Sequence, residues 1–385
     1  MKKGWKIALI ALLVLVILGA AGAGYIHSKL KLIDYDDGKV DVEGTIDDNE
    51  DEVQDQQAEM ERAIRQLEME ASAQRAVTLL SEGVADREES RATEETEAAD
   101  TSKENAAMEK EVQDLIQRVS TPAQGEIYHD DNVWNILLIG TDEWTEGFST
   151  DARGDSCMLL SLNKATGAAK LVSLERGMGV PILEGSYKGK YDWLTHTFRY
   201  GGADLMMREV RECLLVDVHH YVRVNFATFI KVISAVGGVD IYLTQAEANY
   251  INQKAGKQEY SEGTNHLPGW SALQYARCRK IDSDWQRIRR QRTVIQAVIN
   301  ATRDLSVGEL DSLLNQVLPL VRTNLSQGEL VSLMSLAPRF QGVTLQQMTI
   351  PASGTYGGMR GMGGRSLYAV DFDANAKILK SFLYG

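Results

Sequence analysis

Residues 7–26 (IALIALLVLVILGAAGAGYI) run without a single charge. As an α-helix, twenty such residues are about 30 Å long, the thickness of a bilayer's hydrocarbon core. Lys2, Lys3 and Lys6 precede the run, and such cationic flanks favour the cytoplasmic side. Lys29 and Lys31 follow it and soften that asymmetry. The expected arrangement is a single-pass membrane protein. It has a cytoplasmic N-terminus (1–6), an anchor (7–26) and the rest of the chain outside the cytoplasm. A cleaved signal peptide is the alternative, because the Leu/Val/Ile core ends near Leu18 and AAGAG resembles a small-residue cleavage site. Either reading puts the remainder in the same place.

Charge then divides the chain. The formal net charge of −13 comes from the middle, where residues 32–130 hold nine basic and 29 acidic side chains. Residues 131–385 hold 27 basic and 25 acidic ones, so the C-terminal part is nearly neutral and is read on its own. The acidic segment has only two aromatics, Tyr35 and Tyr128, and buries too little apolar surface to offset its ordering entropy. Met60, Ile64, Leu67 and Ala71 have helical spacing, as do Met108, Val112, Leu115 and Val119, but both runs are too short for a convincing coiled coil. Residues 27–130 are therefore expected to be a disordered or partly helical stalk, open to weak self-association. The three cysteines, Cys157, Cys213 and Cys278, form no C-x-x-C pair and are expected as buried free thiols.

A folded domain is expected over 131–385. Strands are predicted at 133–140, 157–162, 170–174, 219–224, 239–243 and 343–350. Helices are predicted at 203–215, 226–236, 271–276, 285–303, 308–321 and 326–336. Strands alternating with helices argue for an α/β domain with a covered sheet. The glycine-rich stretch 354–364 is expected as a mobile loop. It lacks the lysine and the strand–loop–helix context of a phosphate-binding loop.

Two constellations carry chemistry. Asp142 follows the first strand, and Arg153 and Asp155 precede the second, at the strand ends where ligands of covered sheets bind. Paired carboxylates suit Mg²⁺, which takes one or two of them and completes its shell with water and phosphate oxygens. Mn²⁺ accepts the same ligands. Taken alone, three such residues also describe a solvated turn. The second constellation is RCRKIDSDWQRIRRQ (277–291), in which Arg277, Arg279, Lys280, Arg287, Arg289 and Arg290 alternate with Asp282 and Asp284. Arg287 and Arg290 share a helix face, three residues from one another. Guanidinium forks bind phosphate oxygens bidentately, and several together suit a pyrophosphate. A salt-bridged surface helix is the competing reading. The extracytoplasmic location and near-zero domain charge argue against nucleic acid. No histidine spacing indicates a metal site, and no G-x-S-x-G elbow indicates a serine hydrolase.

These motifs resemble the LytR-CpsA-Psr family. The matching pieces, in order, are NILLIGTD (135–142), ARGDSCMLLSLN (152–163), KLVSLER (170–176), His196 with Tyr200-Gly201-Gly202, VNF with GGVDI (224–241), LPGWSALQYARCR (267–279), DSDWQRIRRQ (282–291), TNLS (323–326) and GRSLYAVD (364–371). The resemblance implies an α/β/α sandwich with a central mixed sheet. It implies an enzyme that moves a glycopolymer from a polyprenyl-pyrophosphate carrier to peptidoglycan, leaving a phosphodiester. Asp142 and Asp155 would hold Mg²⁺ on the pyrophosphate. Arg153, Arg176, Arg277, Arg279, Arg287 and Arg290 would neutralise its oxygens, and Gln291 would support the head group. The apolar faces of 203–215 and 226–236, including Phe226, Phe229 and Ile233, would line a lipid tunnel, although ordinary core packing fits the same spacing. Two alternatives use the same site: hydrolysis of polyprenyl pyrophosphate, and non-catalytic lipid binding or regulation. The chain departs from the family at two places. Glu175-Arg176-Gly177 stands where the family usually has Pro-Arg-Asp, and Trp193 stands where a lysine is often found, with Lys188 or Lys190 as its expected substitute.

Overall fold

The computed structural model describes residues 31–39, 120–144, 148–149, 152–303, 312–313, 315–336 and 345–385. The expected anchor at 7–26 and residues 27–30 and 40–119 of the expected stalk lie outside them, as do 308–311 and 314 of the helix expected at 308–321. Among the described residues no helix is long and apolar enough to cross a membrane.

Seven of the described strands make one mixed sheet. Numbered along the chain, their order is β1 (Asp34–Tyr35), β10 (Arg322–Thr323), β7 (His220–Asn225), β2 (Val133–Thr141), β3 (Ser156–Asn163), β4 (Ala169–Leu174) and β11 (Gln346–Ile350). Strand β2 is central because its side chains are apolar on both faces. Ile136 belongs to one core and Leu137 and Ile139 to the other, the two-residue period of a sheet covered on both sides. Strand β2 runs parallel to β7 and antiparallel to β3, which is antiparallel to β4. The C-terminal ends of β2, β4 and β7 and the N-terminal end of β3 consequently meet at one edge of the sheet.

Helices α2 (Phe226–Ala235), α3 (Gln245–Ala255), α4 (Gly269–Arg277) and α5 (Asp284–Thr302) cover one face, and α1 (Leu194–Leu214) and α7 (Phe372–Tyr384) the other. Their starts are capped locally: the Asn225 side chain accepts from Thr228 N, Ser283 from Gln286 N and Asp371 from Ala374 N. A short antiparallel pair, β8 (Val239–Leu243) with β9 (Gly263–Leu267), joins the first face, and α6 (Gln327–Leu336) adds Leu330 to its core. All three cysteines are buried and unpaired.

Several local expectations need revision. Helix α1 begins at Leu194, not Ala203, and breaks at Gly202, whose φ of 71° and ψ of −160° only glycine adopts readily. The stretch 354–364 is not simply a loop. It contains β12 (Tyr356–Arg360), paired with β13 (Ser366–Val370), because Leu367, Tyr368 and Val370 are buried and draw the glycine-rich strand onto the core. A further hairpin, β5 (Gly179–Pro181) with β6 (Tyr191–Trp193), had no readable strand pattern. Two ends of the expected stalk also dock on the domain. Strand β1 pairs with β10 at the sheet edge, and Ala123 N and Tyr128 N donate to the carbonyls of Cys213 and Leu215.

Candidate active site

The strand ends bring the two constellations together. Asp142, just past β2, accepts from Arg153 N (3.0 Å) and Arg153 Nε (2.9 Å), which ties the end of β2 to the residues that lead into β3. Asp155 stands at the start of β3, with its Oδ1 3.9 Å from Arg176 Nη1. Arg176 follows β4 and places Nε 3.3 Å from Asp284 Oδ2. Asp284 opens α5 and also accepts from Arg287 Nε (2.7 Å) and Nη2 (2.9 Å), while Arg287 Nη1 donates to Asp155 O (3.2 Å). Arg176 Nη1 is buried and makes no hydrogen bond, which leaves a directed donor unsatisfied.

A cavity of about 150 Å³ opens beside this cluster, between the sheet and α2, α4 and α5. Its walls are apolar, from Leu138, Met158, Val224, Phe226, Phe229 and Leu273. Asp155, Ser156, Arg277, Arg279, Arg287 and Gln291 supply its polar part. Gln291 is fixed by a 3.1 Å hydrogen bond from Ser156 Oγ. An apolar slot that ends in guanidinium groups matches an amphiphile with an anionic head.

The electrostatics agree with that shape. Burial would raise the Asp155 carboxyl, but Arg176, Arg153, Arg279 and Arg287 hold it below its ordinary value. Asp142 is raised, by burial first and by the like charge of Asp155 second. Arg279 is lowered to about 10 by burial and by Arg176 and Arg287, and stays charged at neutral pH. Glu175 is buried against Asp284; burial and that neighbouring charge push its carboxyl well above the ordinary range, while Arg176 and Arg287 hold Asp284 well below it despite its own burial. Arg153, Arg176, Arg279 and Arg287 thus surround Asp155 and Asp284, the two carboxyls held below their ordinary value, while Asp142 beside them is raised.

The LytR_cpsA_psr family model matches residues 87–382. The chain belongs to the LytR-CpsA-Psr family. A relative from Bacillus cereus (strain ATCC 14579), the polyisoprenyl-teichoic acid–peptidoglycan teichoic acid transferase TagU, is 35% identical over 199 residues, 51% of this chain and 62% of that protein. TagT of Bacillus subtilis (strain 168), of the same description, is 31% identical over 221 residues, 56% of this chain and 67% of that one. The structure of TagT bound to LIIa-WTA superposes with a TM-score of 0.52 at 26% identity, covering 68% of this chain and 96% of that chain. The chain spans about 62% of the length of TagU.

Other site residues expected of a LytR-CpsA-Psr protein fall elsewhere. Arg290 turns away from the cavity to Glu247 (2.7 Å), the Cys278 carbonyl (2.9 Å) and Asp282, a buried ion-pair network that joins α5 to α3. Lys190 is exposed on the β5–β6 hairpin with Nζ 5.4 Å from the Tyr187 ring, and neither it nor Lys188 reaches the cavity. Ile233 points into the core, because only the first turn of α2 borders the cavity. Residues 203–215 pack on the opposite face of the sheet and line no part of it. Trp193 is buried, with Nε1 donating to Ser366 O (2.7 Å) and Arg365 over its ring at 5.5 Å.

Neither Glu175 nor Asp284, though both are named among the motifs, was expected to hold the arginines of the site, and the walls from β2, β3 and β7 were not foreseen. Asp284 carried one usable signal, its three-residue spacing to Arg287. The two metal-ligand candidates fit a hard cation. Their mutual repulsion is what a bound cation would relieve, and Mg²⁺ needs no third protein carboxylate. Among the described residues no group of three or more His, Cys, Asp or Glu converges on one point.

Proposed function

We propose that this protein transfers a glycopolymer from a polyprenyl-pyrophosphate carrier to a hydroxyl of peptidoglycan. The observation that carries the reading is the apolar cavity ending in Arg277, Arg279 and Arg287 beside Asp155. The description of TagU and TagT as polyisoprenyl-teichoic acid–peptidoglycan transferases supports it. The prenyl chain would occupy the slot, and the pyrophosphate would meet the arginines. The acceptor hydroxyl attacks the sugar-proximal phosphorus. One P–O bond forms, the P–O–P bridge breaks, and the acceptor's proton balances the charge on the departing polyprenyl phosphate. Such displacement relies on positioning and charge stabilisation more than on a covalent nucleophile. Arg176 and Arg287, held by Asp284, would meet the charge that develops on the bridging and terminal oxygens. Asp142 and Asp155 would hold Mg²⁺, which would supply further neutralisation of the pyrophosphate. Residues 7–26 would anchor the chain in the membrane, with the catalytic domain on the extracytoplasmic side where carrier and peptidoglycan meet.

The test is to incubate the full-length chain in detergent with a polyprenyl-pyrophosphate-linked sugar, peptidoglycan fragments and Mg²⁺, and to follow products by mass spectrometry. The expected product is a sugar–phosphate–peptidoglycan adduct that disappears with chelator and in Asp155→Ala. Release of the phosphorylated sugar or of polyprenyl phosphate without acceptor would instead make the protein a hydrolase. Bound but unchanged lipid across acceptors and metals would make it a carrier-binding protein.

A further inference from the structure

Arg277 is held differently from the other arginines of the site. Among the described residues no hydrogen bond or ion pair engages its guanidinium. Two aromatic rings hold it instead, with Phe226 4.3 Å and Trp144 5.2 Å from Cζ to ring centroid. The rings contact each other edge-on, 5.0 Å apart at 61°. Arg277 and Phe226 line the cavity, whereas Trp144 is 54% exposed beside it. Such exposure is unusual for an indole without a role in the core.

The position of Trp144 is nevertheless fixed by its neighbour. Glu143 is buried, its carboxylate accepts from Arg223 Nη2 (2.6 Å) and Ser149 N (2.5 Å), and its carbonyl accepts from Phe226 N (3.1 Å). Arg223 is itself stacked on Phe148 and Phe198, each 4.7 Å from Cζ. The chain at 143–144 is thus tied to the start of α2, the element that supplies the other ring. A cation on ring faces keeps its N–H donors uncommitted, since the attraction is to the π cloud and not to an acceptor.

We infer that Trp144 is a positioning residue that clamps Arg277 with its fork free for the anionic head of the lipid carrier. The inference rests on the lipid-pyrophosphate reading of the site. Truncating the ring removes one of the two surfaces that orient Arg277, without touching the cavity walls or the remaining arginines.

The experiment measures binding of farnesyl pyrophosphate and, as a headless control, farnesol to the full-length chain in detergent. Trp144→Ala is expected to weaken farnesyl pyrophosphate binding about 3- to 30-fold, the range of a cation–π contact. Farnesol binding should not change, and Trp144→Phe should restore most of the loss. On an Arg277→Ala background Trp144→Ala should cost nothing more. Wild-type affinity in Trp144→Ala, an equal loss for farnesol, or full additivity with Arg277→Ala would each overturn the clamp. Failure of the wild-type chain to bind either lipid would instead overturn the lipid-pyrophosphate reading itself.

Discussion

Asp284 sets the direction of two guanidinium forks, Arg176 and Arg287, and it can do so only while ionised. Glu175 lies against it in a buried setting that, with the Asp284 charge, raises its carboxyl well above the ordinary range, which favours a neutral partner beside Arg176 over a second charge. Glu175 Oε2 accepts from Gly177 N at 2.6 Å, which fixes the turn after β4. The acid absent at Gly177 therefore has a neighbour on the other side of Arg176. Asp284→Asn is expected to lower stability by roughly 3–5 kcal/mol, because two buried guanidinium groups lose their counter-charge. Glu175→Gln, which keeps a neutral donor of the same shape, should stay within about 1 kcal/mol of wild type. Chemical denaturation of both variants checks this.

Glu209 of α1 presents the opposite case. It is buried, one oxygen accepts from Leu183 N (2.8 Å) and the other makes no hydrogen bond. Burial pushes its carboxyl up to about 8. Between the ordinary carboxylate range and pH 8 the unfolded chain has released this proton and the folded chain still holds it. Stability contributed by the neutral carboxyl is therefore present at low pH and is lost as pH rises through that window. Glu209→Gln should flatten the fall, with melting temperatures of the two proteins diverging in favour of the variant between pH 5 and 8 (about 1–3 kcal/mol).

At the scale of elements, the cavity exists because α2, α4 and α5 meet the sheet over small and flexible side chains near the strand ends. Ala276 and Met158 border it, and Leu138 of β2 is only partly buried there. Helix α2 is amphipathic, but its deeper residues Val232 and Ile233 close the core, and Phe226 and Phe229 are left at the opening. Leu138→Trp is expected to fill part of the slot and weaken use of a long-chain carrier about tenfold, the equivalent of two methylenes denied burial. A water-soluble donor with a very short chain should be affected less. The ratio of kcat/KM values for the two donors is the measurement, and an equal loss for both would place the lipid elsewhere.

At the scale of the whole molecule, one sheet separates two cores with different duties. The face under α2–α5 carries the cavity, and the face under α1 and α7 is closed by Phe372, Leu379 and Leu383. Lys170 of β4 reaches across to the end of α7 and donates to the carbonyls of Phe382 (2.6 Å) and Leu383 (3.2 Å), satisfying groups that a helix end leaves open. Strands β6 and β13 are tied together nearby. Asp192, fully buried, accepts from His196 Nδ1 (3.1 Å), Tyr200 OH (2.5 Å) and Arg365 Nη1 (2.9 Å). Burial would raise its carboxyl, and these partners bring it down to about 2. Removing residues 372–385 should expose the second core and abolish a single cooperative unfolding transition, with binding of a hydrophobic dye as the direct readout.

What the sequence determined by itself was whatever depends on neighbours in the chain. The apolar runs of 133–140 and 157–162, the 3.6-residue period of 226–236 and the long stretch 285–303 located the sheet and two of its covering helices to within a few residues. Strand ends bearing Asp142, Arg153, Asp155 and Arg176 marked one edge of the sheet, because the charge that interrupts an apolar run has to sit where the run leaves the core. The family motifs followed the same order. The tertiary structure decided which arginines share a cavity. Arg287 and Arg290 are three residues apart on one helix, yet one faces the slot and the other is consumed by Glu247 and Asp282. It also decided that 203–215 lies behind the sheet, that the glycine-rich 354–364 makes a strand, and that Trp144 sits on Arg277, 133 positions away. Those outcomes come from long-range packing and from competition among acceptors for the same guanidinium groups, and neither is written in local spacing.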